Sequence, residues 1–158
     1  MSVFGDISDL APILPFGAIM GLDLGTKTIG VAVTDTYRSV ATPLETIKRS
    51  KFTKDAEALI KISKDRNIVG VVLGLPYNMD GSEGPRAQST RAFARNLVGV
   101  LSLPVSFWDE RLSTVAAEKA LLEADTSRKR RSEVIDHVAA SYILQGALDR
   151  LSFLERNT

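Results

Sequence analysis

The sequence predicts an α/β domain built on a five-stranded mixed sheet, three antiparallel strands followed by two parallel ones, with helices on the flanks. Three observations carry this. Residues 18 to 24 (AIMGLDL) and 28 to 35 (TIGVAVTD) are β-rich runs separated by Gly25-Thr26-Lys27, which is a hairpin signal. Residues 68 to 74 (IVGVVLG) form an unbroken apolar run, as a parallel strand buried on both faces requires. Between them, residues 53 to 66 space Ala56, Leu59, Ile60 and Ile62 as an amphipathic helix, the crossover that a parallel strand needs.

The elements follow in order. Residues 1 to 16, with Gly5, Pro12 and Pro15, have weak periodicity and read as an N-terminal arm outside the core, whose truncation is expected to be tolerated; residues 17 to 155 read as a single domain. Residues 40 to 47 add the third strand of the meander, and Thr53 is the expected cap of the first long helix. A loop, GLPYNMDGSEG from 74 to 84, leads to a helix over about 86 to 101, and residues 104 to 108 (PVSFW) form the last strand, ending at Asp109-Glu110. Ser113 caps a helix to about 124, residues 125 to 131 form a basic link, and a final helix runs from about 132 to 153 with Val134, Val138, Ile143, Leu144, Ala147 and Leu151 in phase. The order β-β-β-α-β-α-β-α-α is that of a ribonuclease-H-like sheet.

Composition narrows the chemistry. With 158 residues, 44% of them apolar, the chain can bury one real core. Twenty basic residues balance nineteen acidic ones, so charge alone singles out no class of partner. The absence of cysteine excludes disulfides, thiol nucleophiles and thiolate metal sites, leaving carboxylates as ligands and hard cations such as Mg2+ or Mn2+ as candidates. Asp6 and Asp9 interrupt any apolar start, so neither a signal peptide nor a membrane span is expected, and a cytoplasmic location is.

Asp23 stands in an apolar strand directly before a glycine turn, where an unpaired carboxylate would cost several kcal/mol, on the order expected for a buried polar group, so a partner is implied; capping of the Gly25-Thr26 turn is the plainer alternative. Asp109-Glu110 lies at the carboxyl end of a parallel strand, where ligands of open α/β sheets gather, although an ordinary charged loop, Asp109-Glu110-Arg111, with an ion pair fits the spacing equally. Asp136 follows Val134-Ile135 and precedes Val138-Ala139-Ala140, which puts it near the buried edge of its helix, with an exposed helix acid as the plainer alternative. His137, the single histidine, points about 100° away around the helix and reads as a surface residue. Clustered carboxylates suit a divalent cation and phosphodiester hydrolysis. Arg128-Lys129-Arg130-Arg131 is most easily placed near polyanion phosphates, whereas Arg86, Arg91 and Arg95 fit a solvated helix face as readily as a binding one. The 74 to 84 loop reads as a plain connection or as a phosphate-binding turn.

Taken together, GLDLGTKTIGVAVTD (21 to 35), GLPYNMDGSEG (74 to 84), DERLST (109 to 114) and IDHVAASYIL (135 to 144) resemble the bacterial YqgF family, described as Holliday-junction resolvases and as the nuclease that finishes pre-16S ribosomal RNA. The resemblance implies metal-dependent cleavage of structured nucleic acid by a ribonuclease-H-like domain. It places the family's acids on Asp23, on Glu110 with Asp109 beside it, and on Asp136, with Asn78 near the substrate. On that reading Lys27, Arg86, Arg111 and residues 128 to 131 hold phosphates of precursor ribosomal RNA, within a ribosomal precursor particle, or of branched DNA. Resolution of a two-fold symmetric junction calls for a homodimer, whereas a monomer favours RNA. Two rivals remain: a non-catalytic RNA-binding assembly factor, and the actin-like or sugar-kinase-like ATPases, which share the opening hairpin but use two such domains.

Overall fold

The computed structural model describes residues 3–112 and 128–156. The hairpin of β2 (Ala18–Leu24) and β3 (Thr28–Thr34) forms as its sequence requires, and β4 (Ala41–Lys48) completes an antiparallel meander. Helix α2 (Phe52–Asp65) crosses to β5 (Ile68–Leu75), which adds in parallel beside β2, and α3 (Pro85–Leu101) crosses to β6 (Val105–Asp109), which adds in parallel beside β5. The last described helix, α4 (Arg128–Arg156), lies across the sheet.

The sheet has six strands rather than five. Residues 1 to 16, expected to stand outside the core, supply β1 (Val3–Asp6), which pairs in parallel with β6, and a one-turn helix α1 (Ile7–Leu10). Ile7 and Leu10 are fully buried under α4, so this segment belongs to the core. A strand of four residues has too little periodicity to be recognised, and its partner lies about a hundred residues away.

Two apolar layers sandwich the sheet. Leu22, Leu24, Ile29, Val31, Leu73 and Phe107 face α2 and α3, while Ile19, Ala32, Val72 and Trp108 face α1 and α4. Alternation along each strand thus decides which face every site residue meets.

Two helix starts differ from expectation. Lys51, not Thr53, stands at the N-cap of α2 and makes no side-chain cap; the buried Asp55 instead accepts the Ser50 amide at 3.0 Å. Helix α4 begins at Arg128 rather than near 132 and so absorbs the basic residues expected in a link, since Arg and Lys are good helix formers. The helix expected from Ser113 to about 124 lies outside the described residues.

Candidate active site

Asp23 is the last residue but one of β2, and its cross-strand neighbour on β3 is Gly30. On the other side, the parallel register of Leu22 with Leu73 brings Asp23 level with Gly74 of β5. Odd positions of β2 face α4, as Ile19 and Gly21 show, so the Asp23 carboxylate, 5% exposed, belongs to the α4 face.

The two flanking glycines are the reason other acids can reach it. A Cβ on Gly30 would stand 1.9 Å from the main-chain oxygen of Asp136, and one on Gly74 would stand 2.7 Å from Oε1 of Glu110. Asp136 therefore rests directly on β3, and the Glu110 carboxylate lies over β5, one on each side of Asp23. Glycine inside a strand signals such close approach, though not what approaches. Thr28 donates its hydroxyl to Oδ2 of Asp136 at 2.6 Å, fixing that carboxylate; the sequence offers no signal for this contact. One residue on, His137 Nδ1 lies 2.8 Å from Thr46 Oγ1, so the histidine is half-buried and holds α4 to β4 instead of facing solvent.

Asp109 and Glu110 part company. Trp108 faces α4 and Phe107 faces α3, so alternation sends Asp109 to the α3 side, while Glu110 opens the 3-10 turn Glu110–Leu112 and reaches over Gly74. Arg111 grips Asp109 with Nε at 3.1 and 3.2 Å and a terminal nitrogen at 2.7 Å. Burial pushes the Asp109 carboxyl up, but these hydrogen bonds and the adjacent positive charge outweigh it and hold it below the usual carboxylate range. Asp109 is thus occupied by Arg111 and is not brought into the row of three acids.

The remaining expected residues are spread around the carboxyl end of the sheet. Lys27 is exposed in the β2–β3 turn, which Arg49 braces by donating to the Gly25 carbonyl at 2.6 Å. Asn78 is exposed and donates to the Ser82 hydroxyl at 3.0 Å within its own loop. Arg86 is exposed, whereas Arg91 is an internal brace, paired with Glu83 at 2.6 Å, bonded to the Tyr77 hydroxyl at 3.1 Å and stacked 5.0 Å from the Phe107 ring. Residues 128 to 131 open the described part of α4.

Carboxylate oxygens are the donors that Mg2+ and Mn2+ prefer, so the chemistry of this row fits such an ion. Among the described residues no three His, Asp or Glu side chains are drawn together tightly enough to form a metal cage as they stand. A cavity of about 370 Å³ lined by Phe16, Tyr37, Arg38 and Asp149 lies at the opposite end of β2 and includes none of Asp23, Glu110 and Asp136. No helix among the described residues is long and apolar enough to cross a membrane.

The RuvX family model, described as Holliday junction resolvase, matches residues 17–150. Proteins provisionally named pre-16S rRNA nucleases share 73% identity over 151 residues in Cereibacter sphaeroides (95% of this chain, 94% of that one) and 72% over 152 residues in Paracoccus denitrificans (96% of each). A third, from Ruegeria pomeroyi, shares 74% over 141 residues, covering 89% of this chain and 92% of its own. The fold is shared with Thermus thermophilus RuvC, solved in complex with a Holliday junction substrate, at a TM-score of 0.55 and 13% identity over 85% of this chain and 96% of that one. Sequence likeness on this scale, extending across nearly the whole length of both partners, agrees with the YqgF resemblance of the four motifs, and the chain belongs to the RuvX family.

Proposed function

We propose that this protein is a metal-dependent endonuclease of structured nucleic acid that processes the 5′ end of pre-16S ribosomal RNA in the cytoplasm, on a ribosomal precursor particle. The observation that carries the chemistry is the row in which Asp23 sits between two glycines, with Glu110 over one and Asp136 over the other. Asp23, Glu110 and Asp136 would hold Mg2+ or Mn2+. When bound, such an ion supplies activation of water and neutralisation of charge on the scissile phosphate. Within the chain itself, Thr28 orients Asp136, and the apolar neighbours of Asp23 keep its carboxylate out of bulk water. Lys27, Arg86 and the basic turn at 128 to 131 supply the positive charge that a polyanion requires, with Asn78 at the loop bordering the same end of the sheet; affinity then falls steeply with salt. The names carried by relatives of 72–73% identity support the ribosomal RNA substrate.

The test is cleavage of a pre-16S 5′ precursor and of a four-way DNA junction, each with Mg2+, with Mn2+ and with chelator. The expected result is metal-dependent cleavage of the RNA, reduced by about a hundred- to a thousandfold in Asp23→Asn and Asp136→Asn, the order of loss seen when a catalytic electrostatic group is removed. Cleavage that survives both substitutions rejects the site. The family description favours a second reading, junction resolution; cleavage of the junction by a homodimer, with the RNA untouched, would establish it. Tight RNA binding with no cleavage under any metal would point to an assembly factor.

A further inference from the structure

A recess of about 390 Å³ opens at the carboxyl ends of β1, β5 and β6, on the α3 side of the sheet, one residue along the chain from Glu110. Leu75 and Phe107 are buried beneath it, and Tyr77, Asp6, Asp109 and Arg111 line it. The Arg111 guanidinium lies 5.0 Å from the Tyr77 ring centroid, and Tyr77 is fixed in turn by the Arg91 bond at its hydroxyl.

Arg111 is therefore a poor phosphate clamp. Its charge is matched by the bidentate contact with Asp109, and Asp80 adds a second negative charge nearby. With Asp6 also on the wall, the charged side chains of the recess sum to a negative value, which repels a phosphate. What the pair offers outward is a flat, pre-positioned guanidinium plane over an aromatic ring, with hydrogen-bonding atoms at its edge. Nucleobases stack on such planes, and single strands expose bases that can do so.

We infer that this recess receives one unpaired nucleobase of the bound strand, stacked on Arg111, so that the substrate contains a single-stranded nucleotide close to the cleaved phosphate. This rests on the nuclease reading above and deepens it. Asp109 and Glu110 are consecutive but face opposite sides of the sheet, so a strand that meets the carboxylate row crosses the end of β6 to set its neighbouring base in the recess.

The test uses the full chain in chelator, where nothing is cleaved, with a short RNA carrying 2-aminopurine, presented as a single strand and as a perfect duplex. The expected result is 2-aminopurine quenching and tighter binding for the single strand. Arg111→Lys, which keeps the charge and loses the plane, should relieve the quenching and weaken single-strand binding by about tenfold, the range of one base–aromatic stack, while duplex binding changes little. Arg111→Ala should leave the slope of log affinity against log salt unchanged, because no phosphate contact is lost; a phosphate clamp would lower that slope by about 1. Retention of affinity and quenching in Arg111→Lys, a reduced salt slope in Arg111→Ala, or equal losses on both RNAs overturns the inference and leaves the nuclease reading standing. A wild-type protein that binds neither RNA overturns both.

Discussion

Replacing Gly30 with alanine tests the closest contact in the site. The new methyl would stand 1.9 Å from the carbonyl oxygen of Asp136, 2.3 Å from its carbonyl carbon and 2.9 Å from the nitrogen of His137. All three are backbone atoms, so no rotamer change relieves the clash and α4 itself has to lift. Moving from 1.9 Å to the 3.4 Å at which ordinary contact begins means a displacement of about 1.5 Å. Overpacking of this kind costs about 1–3 kcal/mol, and the upper end applies here because the clashing atoms are main chain. In a chain of this length, a loss of about 3 kcal/mol lowers Tm by roughly 6–12 °C. The same shift draws the Asp136 carboxylate away from Asp23, and a misplacement of about 1 Å can reduce a rate on the order of a hundredfold. Thermal unfolding and precursor cleavage should be measured together, with Gly99→Ala as the control, since nothing lies within 4 Å of a methyl at that position in α3. The control should be neutral or stabilising by roughly 0.5–1 kcal/mol. A wild-type Tm for Gly30→Ala would refute the close seating of α4 on β3, and a destabilised variant that cleaves at the wild-type rate would remove Asp136 from the site.

Two further outcomes follow from the structure. Deleting residues 1 to 16 removes Ile7 and Leu10, both 0% exposed, and burial of each contributes about 1.5–3 kcal/mol, so Tm should fall by well over 5 °C; a change within 2 °C, on the order of scatter between preparations, would return this segment to the status of a loose arm. The Asp35 carboxylate accepts the Val40 amide, at 3.0 Å, and the Ser39 amide, at 2.8 Å, and these bonds, Val40 first, hold it below its ordinary value of 3.8 against the opposing effect of burial. A carboxylate depressed by folding stabilises the protein above its unfolded pKa, and that contribution is lost as pH falls through the folded one. The Tm difference between wild type and Asp35→Asn should accordingly be constant near neutrality and shrink below about pH 4, whereas a gap that persists in acid would show that the amide contacts are not charge-assisted.

What could be read from the sequence, and what could not, follows from range. The β2–β3 hairpin and the place of Asp23 at its end are set by residues within about ten positions of one another, and local pattern is sufficient for them. The assembly of the acids depends on strand register instead: Gly30 and Gly74 flank Asp23 because β3 and β5 are its two neighbours, which no local spacing reveals. Asp109 and Glu110 are adjacent in sequence, and local pattern does not separate them: the resemblance alone singled out Glu110, and they part in the structure because β6 ends at Asp109 and Trp108 faces α4. Of the charged loop with an ion pair that the sequence allowed at 109 to 111, the structure forms the pair between Arg111 and Asp109, which the sequence did not single out. Thr28 and Thr46 looked like ordinary strand residues, and their roles as anchors of Asp136 and His137 appear once α4 is laid across them.

The pairing of β1 with β6 has a consequence for the order of folding. The strand made first closes on the strand made last in the sheet, joining Val3 to Val105, so its loop-closure entropy is among the largest in the domain and its contacts form after β2, β3 and β5 are in place. The same long closure makes this edge the first to open in the native state. Amide hydrogens of Val3–Asp6 should exchange well before those of β2 and β5, and the recess beside Arg111, which borrows Gly5 and Asp6 for one wall, would then be assembled and dismantled separately from the carboxylate row.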